Sequence, residues 1–212
     1  ARLPHAEVER AWRALSHDHD DFGLHAARVV EGAPRSLVEY AISNAGDVGG
    51  ALRVFVRFQR LIHDGAAHTI ESRDGRDVLR LALRAPLTMP DALWDYLCAT
   101  AVTRTRRALT EPVDPVEVHL TRSGFRDDTL AAQTFRAPIR YGAPYAEVRW
   151  PRGTFTRALE RVDATLHQLL VRQLEEALGV SREAEARALL EVSDDLVPRL
   201  KRELRVLVLR DQ

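Results

Sequence analysis

The densest chemical signal in the chain is the run His17-Asp18-His19-Asp20-Asp21. Imidazoles and carboxylates are the ligands of zinc and of harder cations. All of these side chains fall within one short turn, and a single turn cannot wrap a tetrahedral ion. The run therefore reads as a solvated, helix-capping turn, and no metal is expected. Cys98 with His119 or His68 has the residue types of a nucleophile and its base. Cys98 lies on the apolar stripe of a helix with no local motif around it, so it reads as a buried structural thiol. Ser36, Ser43 and Ser123 lack a G-x-S-x-G context. The glycines at 46, 49 and 50 match neither a dinucleotide fingerprint nor a P-loop. The sequence offers no catalytic residue and no cofactor site, and an enzyme is not expected.

Four bulky residues combine an apolar body with a polar tip: Trp94, Tyr141, Tyr145 and Trp150. Such side chains line small-molecule pockets, and they also fill ordinary cores. Arg104, Arg106 and Arg107 form a basic run at a helix end, where cations interact favourably with the terminal carbonyls.

The elements that position these residues follow from periodicity. Val8, Ala11, Trp12 and Leu15 share one face and predict a helix over residues 4–17. Phe22–Val30 is short, apolar and compatible with helix or strand. Ser36 can cap a helix through about Ser43. Ala51, Phe55, Phe58 and Ile62, widened by Val54 and Leu61, predict a well-buried helix.

Thr69–Arg84 reads as a hairpin turning at Asp74-Gly75, a type I′ signal. That register puts Ile70 opposite Leu79 and His68 opposite Leu81, with a leucine face inside and an arginine face outside. Thr88 and Pro90 open the next helix, lined by Trp94, Leu97, Cys98, Ala101 and Thr105. Val116, Val118 and Leu120 alternate as a half-buried strand, and Gly124–Thr134 is a loop or short helix.

Two extended runs, Ile139–Tyr141 and Ala146–Trp150, flank the turn Gly142-Ala143-Pro144 and read as a second hairpin. Phe155–Leu178 then reads as one long helix, with Gly179 placed as a C-cap. Two more helical segments follow, the last carrying Leu196, Leu200, Leu204 and Leu207. Strands joined by tight turns pair antiparallel. The fold class is α+β: a small antiparallel sheet packed with helices, followed by a C-terminal helical extension.

The 212 residues are 45% hydrophobic and 29% charged, a globular balance rather than a disordered one. Basic and acidic residues number 31 each. A net charge of zero argues against a free-standing nucleic-acid binder, which needs a basic face to displace counterions. Lys201 is the one lysine. The single cysteine demands no oxidising compartment, and no apolar run is long enough to span a bilayer. The expected setting is a bacterial cytoplasm without membrane contact. Ala1 is not a methionine, so the N-terminus is expected to be trimmed or truncated.

Several stretches together resemble the effector-sensing N-terminal domain of AraC-type transcription regulators, of the arabinose-binding-domain type. They are Phe22-Gly23-Leu24, the helical Tyr40–Leu61, the strand Val116–Leu120 with His119, and the run Phe135, Pro138, Tyr141, Gly142. Two departures stand out: Ser123-Gly124-Phe125 has no proline after the histidine strand, and Phe155–Leu159 has none either. The resemblance covers about Phe22 to Leu178. It implies a sensing domain over residues 1–178 and a helical linker and dimerisation segment over 179–212, leading toward a helix-turn-helix reader that this chain lacks. It implies a small organic effector, a homodimer, and DNA contact only through that separate domain. The alternative is a stand-alone ligand-binding or dimerisation module.

The effector pocket is expected between the hairpin's leucine face and the Trp94 helix, with His68, Trp94, Tyr141 and Trp150 as ligand-binding residues. His68 either orients a ligand or is a core histidine bonded to backbone. Leu196, Leu200, Leu204 and Leu207 form the expected dimerisation stripe.

Overall fold

The computed structural model describes residues 5–30, 36–63 and 65–179. The expected dimerisation stripe at Leu196, Leu200, Leu204 and Leu207 lies outside these described residues. Helices α1 (His5–Leu15), α2 (Phe22–Val29), α3 (Leu37–Ser43) and α4 (Val48–Ile62) come first. Strands β1 (Thr69–Arg73) and β2 (Arg76–Leu81) precede helix α5 (Asp91–Arg107) and strand β3 (Glu117–His119). Helix α6 (Thr129–Phe135), strands β4 (Ile139–Arg140) and β5 (Ala146–Pro151), and helix α7 (Ala164–Gly179) complete the order. The fold is α+β.

The first hairpin forms as its sequence dictates. Asp74 and Gly75 both have positive φ, 49° and 70°, as a type I′ turn requires. Ile70 faces Leu79, and the Ala66–Leu83 bridge continues the same register, which brings His68 opposite Leu81. The five strands lie in the order β1-β2-β5-β3-β4. Neighbours are antiparallel except β3 and β4, which run parallel.

That order corrects the second hairpin. Ile139–Arg140 and Ala146–Pro151 do not pair with each other, because β3 lies between them. Leu120 N–H donates to Arg140 O at 2.9 Å and Ala143 N–H to Leu120 O at 3.0 Å, so the Gly142 segment steps across the end of β3. Gly142 has φ of 64°, which a glycine adopts freely.

One face of the sheet, carrying Leu79, Leu81, Val118, Val148 and Trp150, joins Val48, Leu52, Trp94, Cys98 and Val102 of α4 and α5 in the main core. The other face carries Arg80, Glu117, His119, Glu147 and Arg149, since successive residues of a strand point to opposite sides. On α4 the buried stripe is Val48, Ala51, Leu52, Val54, Phe58 and Leu61. Ile62 stands exposed instead of completing it. Ser36 and Asp47 cap α3 and α4 by accepting from Glu39 N–H and Gly50 N–H.

The long helix expected from Phe155 begins only at Ala164. The backbone between is committed elsewhere. Phe155 N–H donates to Asp77 Oδ2 at 2.9 Å, Leu159 N–H to Gly46 O and Glu160 N–H to Ala108 O. Leu159 fills the main core from this irregular segment, so its helical spacing from Phe155 is coincidental. Asp163 then caps α7 by accepting from Leu166 N–H at 2.9 Å. A smaller core joins α3, α4 and α7 through Val38, Ala41, Phe58, Leu61, Leu170 and Leu174.

Candidate functional site

His68 sits just before β1, buried, with its ring stacked on Phe55 at 5.1 Å. Gln59 of α4 clasps its backbone: His68 N–H donates to Oε1 at 2.6 Å, and Nε2 donates to His68 O at 3.2 Å. Ala82 N–H donates to His68 Nδ1 at 3.1 Å, so the neutral ring carries its proton on Nε2. Burial, with His63 nearby, pulls its pKa down to about 4. This is the geometry of a core histidine bonded to backbone.

Trp94 and Trp150 meet in the main core, Trp150 fully buried. Tyr141 packs at the rim of that core, where its hydroxyl donates to Asp128 Oδ1 at 2.5 Å and its ring meets Phe125 edge-on. Burial and Asp128 push its phenol above the ordinary range. Tyr145 lies on the opposite sheet face under the Arg80 guanidinium.

Cys98 is fully buried, and burial drives its thiol well above the usual range. His119 faces away from it, on the outer side of the sheet, with Nε2 2.8 Å from Glu117 Oε2. In the His17–Asp21 turn Asp20 and Asp21 make structural bonds, and Asp18 is exposed. Asp20 Oδ2 accepts from Arg126 N–H at 2.7 Å, and Asp21 pairs with His25 one helical turn on. The His25 hydrogen bond holds the Asp21 carboxyl below its usual pKa. Among the described residues no three His, Cys, Asp or Glu side chains converge as metal ligands.

Two ionic constellations were not anticipated. Asp95 of α5 is buried among core residues and meets Arg122 NH1 at 2.7 Å. Arg122 also donates to Asp20 O at 2.7 Å and Gly124 O at 3.0 Å, and it stacks 3.6 Å over the Phe125 ring. Asp95 Oδ1 has no hydrogen-bond partner. Burial outweighs Arg122 and raises the Asp95 pKa to about 8. The signal was present: Ala92, Asp95, Ala99 and Val102 share the buried stripe of α5, so an acid there is core-facing. On the outer sheet face Glu147 accepts from Arg73, Arg80 and Arg149. Burial opposes its charge, yet Arg149 and Arg80 hold its carboxyl below the ordinary value.

An open groove of about 560 Å³ runs between α4, β1 and α7. Val54, Val56 and Phe58 of α4, Ile70 of β1 and Val171 of α7 give it an apolar lining. Gly50 leaves one end of the α4 wall without a side chain, and Arg53, Arg57 and His167 bring the polar groups. The carbonyl of Ala41 can only accept, so His167 donates to it through Nδ1, at 2.9 Å, and its Nε2 remains as acceptor. None of His68, Trp94, Tyr141 and Trp150 lines this groove. Its lining comes from three separate elements, α4, β1 and the sequence-distant α7, which no local pattern brings together.

Comparison with known proteins fixes the family. The model of the arabinose-binding domain of AraC transcription regulators, N-terminal, matches residues 1–159. The crystal structure of the transcriptional regulator CdpR from Pseudomonas aeruginosa is similar, with a TM-score of 0.60 and 16% identity. The similarity covers 95% of this chain and 73% of that one, and at this identity it speaks to the fold. No curated protein matches the chain.

Proposed function

The chain belongs to the family of arabinose-binding N-terminal domains of AraC transcription regulators, and from that membership we propose that it binds a small organic effector and passes the binding event to an attached DNA-binding domain. The observation that carries this reading is the groove between α4, β1 and α7. It is an open groove, mostly apolar, with a few polar groups along it. Its position suits a sensor, because α7 is the wall nearest in sequence to residues 180–212. An occupant that prefers one placement of α7 biases whatever α7 leads to.

The residues read from the sequence, His68, Trp94, Tyr141 and Trp150, remain a second proposed location. Ligand entry there requires the main core to open, so its signature is a change in tryptophan emission. Self-association through Leu196, Leu200, Leu204 and Leu207 is part of the same proposal, since paired DNA half-sites reward a dimer. No described helix is long and apolar enough to cross a membrane.

The test is a thermal-shift screen of small metabolites on the 212-residue chain and on a Val171→Trp variant, which fills the groove. A ligand that binds only the native state raises the melting temperature by mass action. A shift seen with the parent chain and lost in the variant supports the groove. An equal shift in both, with altered tryptophan emission, moves the site to Trp94 and Trp150. A screen without any shift overturns effector sensing by this domain.

A further inference from the structure

We propose that the α4–α7 groove takes a small amphipathic carboxylate, its apolar body on Val56, Ile70 and Val171 and its carboxylate between Arg53 and Arg57. The proposal rests on the sensing reading above and names the chemical class of its ligand. Gly50, Arg53, Val54, Arg57 and Phe58 fall at i, i+3, i+4, i+7 and i+8 of α4, which is one helix face. Arg53 and Arg57 are neighbours one turn apart on that face, close enough to converge on one carboxylate. Val54 and Phe58 beside them are buried in the smaller core, and the partly exposed apolar lining comes from Val56, Ile70 and Val171.

The charge lining the groove is of one sign. The acids that accompany these arginines, Asp47 and Glu175, pair with them from outside the lining set. Arg53 sits 3.4 Å from Asp47 Oδ1, whose stronger duty is to cap Gly50 N–H at 2.5 Å. Arg57 meets Glu175 at 2.7 Å with both side chains largely in solvent. Exposed pairs of this kind contribute little, so a carboxylate held against apolar surface competes with them. His167 Nε2, an acceptor when neutral, suits a ligand hydroxyl or amide at the α7 side. A neutral apolar ligand would gain nothing from the two arginines, which would keep their exposed pairs with Asp47 and Glu175, and a second copy of the chain would need an acidic surface to match them.

The experiment is calorimetric titration of the 212-residue chain with 4-phenylbutyrate and with its neutral isostere 4-phenylbutyramide. The expected result is binding of the acid at least tenfold tighter than the amide. Arg53→Gln with Arg57→Gln, both exposed changes that leave the core intact, should erase that preference while the amide binds as before. Val171→Trp should abolish binding of both; if it fails to fold, Ile70→Gln removes apolar lining and serves instead. Equal affinity for acid and amide, or no binding of the acid, overturns the carboxylate class. So does a preference that survives loss of both arginines. If the acid fails while another compound gives a thermal shift that Val171→Trp removes, only the ligand class is wrong. If no shift depends on Val171, the groove reading fails with it.

Discussion

Asp95 should make the stability of this domain fall as pH rises above 6.5, the ordinary His68 value. Its pKa is raised from 3.8 to about 8, because burial outweighs the nearby Arg122 and because Asp91 and Asp20 add like charge. A raised native pKa means that the folded state holds the proton more tightly than the unfolded state. The contribution is therefore complete below the unfolded pKa and lost as pH climbs toward about 8. The slope is about 1.4 kcal/mol per pH unit. His68 works the other way. Its pKa is depressed from 6.5 to about 4, so its contribution is complete above pH 6.5 and lost as pH falls toward 4. The two slopes oppose each other below pH 6.5, and only that of Asp95 remains above it.

Stability should thus be nearly level from about pH 4.5 to 6.5 and then drop by about 2 kcal/mol by pH 8. Asp95→Asn copies the neutral acid and cannot ionise. The gap between variant and parent should move in the variant's favour by about 4 kcal/mol from pH 5 to pH 8. Urea unfolding followed by circular dichroism, with the m-value checked for constancy, measures that gap directly. A gap independent of pH would show that Asp95 is ionised throughout and held so by Arg122, and the reasoning would be refuted.

Gly23→Ala should destabilise by about 1–3 kcal/mol, because a Cβ there would lie 2.1 Å from the Ala92 carbonyl oxygen and force α2 from α5; denaturant midpoints report it. Gln59→Ala strips both partners from the buried His68 backbone and should cost about 2 kcal/mol, seen as a lower melting temperature. Glu147→Gln removes the charge that three arginines share at a side chain only 3% exposed, and should cost about 3 kcal/mol in urea unfolding. A loss below about 0.5 kcal/mol would show that the arginines find other partners.

Local rules made part of this fold legible. Asp74-Gly75 announced its turn because only a few residue types tolerate two successive positive φ values, and the alternation around it set the register. The α5 stripe was readable because Trp94, Cys98 and Thr105 are apolar or small at helical spacing. Where the sequence misled, nonlocal bonds overrode a local pattern. Nothing within Ile139–Trp150 states that β3 will insert between its two extended runs. Phe155 and Leu159 carry helical spacing, but Asp77, Gly46 and Ala108 claim the backbone of that segment first. The groove was not legible either, because its lining comes from α4, β1 and α7, which no local pattern brings together. The Asp95–Arg122 pair joins residues 27 apart in sequence, a distance at which no periodicity speaks.

The two ends of the domain are held by different kinds of contact, and this bears on the proposed sensing role of α7. At one end, Asp20, Asp95 and Arg122 tie the α1–α2 corner, α5 and the loop after β3 together through charge-assisted bonds, with Asp95 itself buried. Gly23 lets α2 and α5 approach closely enough to make that end stiff. At the other end α7 is held by the buried Leu170 and Leu174 with Val171 and Ala177 packed beside them, by His167 on the Ala41 carbonyl, by Asp163 N–H on Asn44 Oδ1, and by the exposed Arg57–Glu175 pair. Two buried leucines contribute about 3–6 kcal/mol, and the exposed pair adds little. A ligand shifts a conformational equilibrium only by its differential affinity for the two states, and micromolar binding supplies about 8 kcal/mol in total. A fraction of that is comparable to what the two leucines of α7 contribute. Moving α7 against α4 is therefore within reach of the binding energy of an occupant of the groove, should one bind.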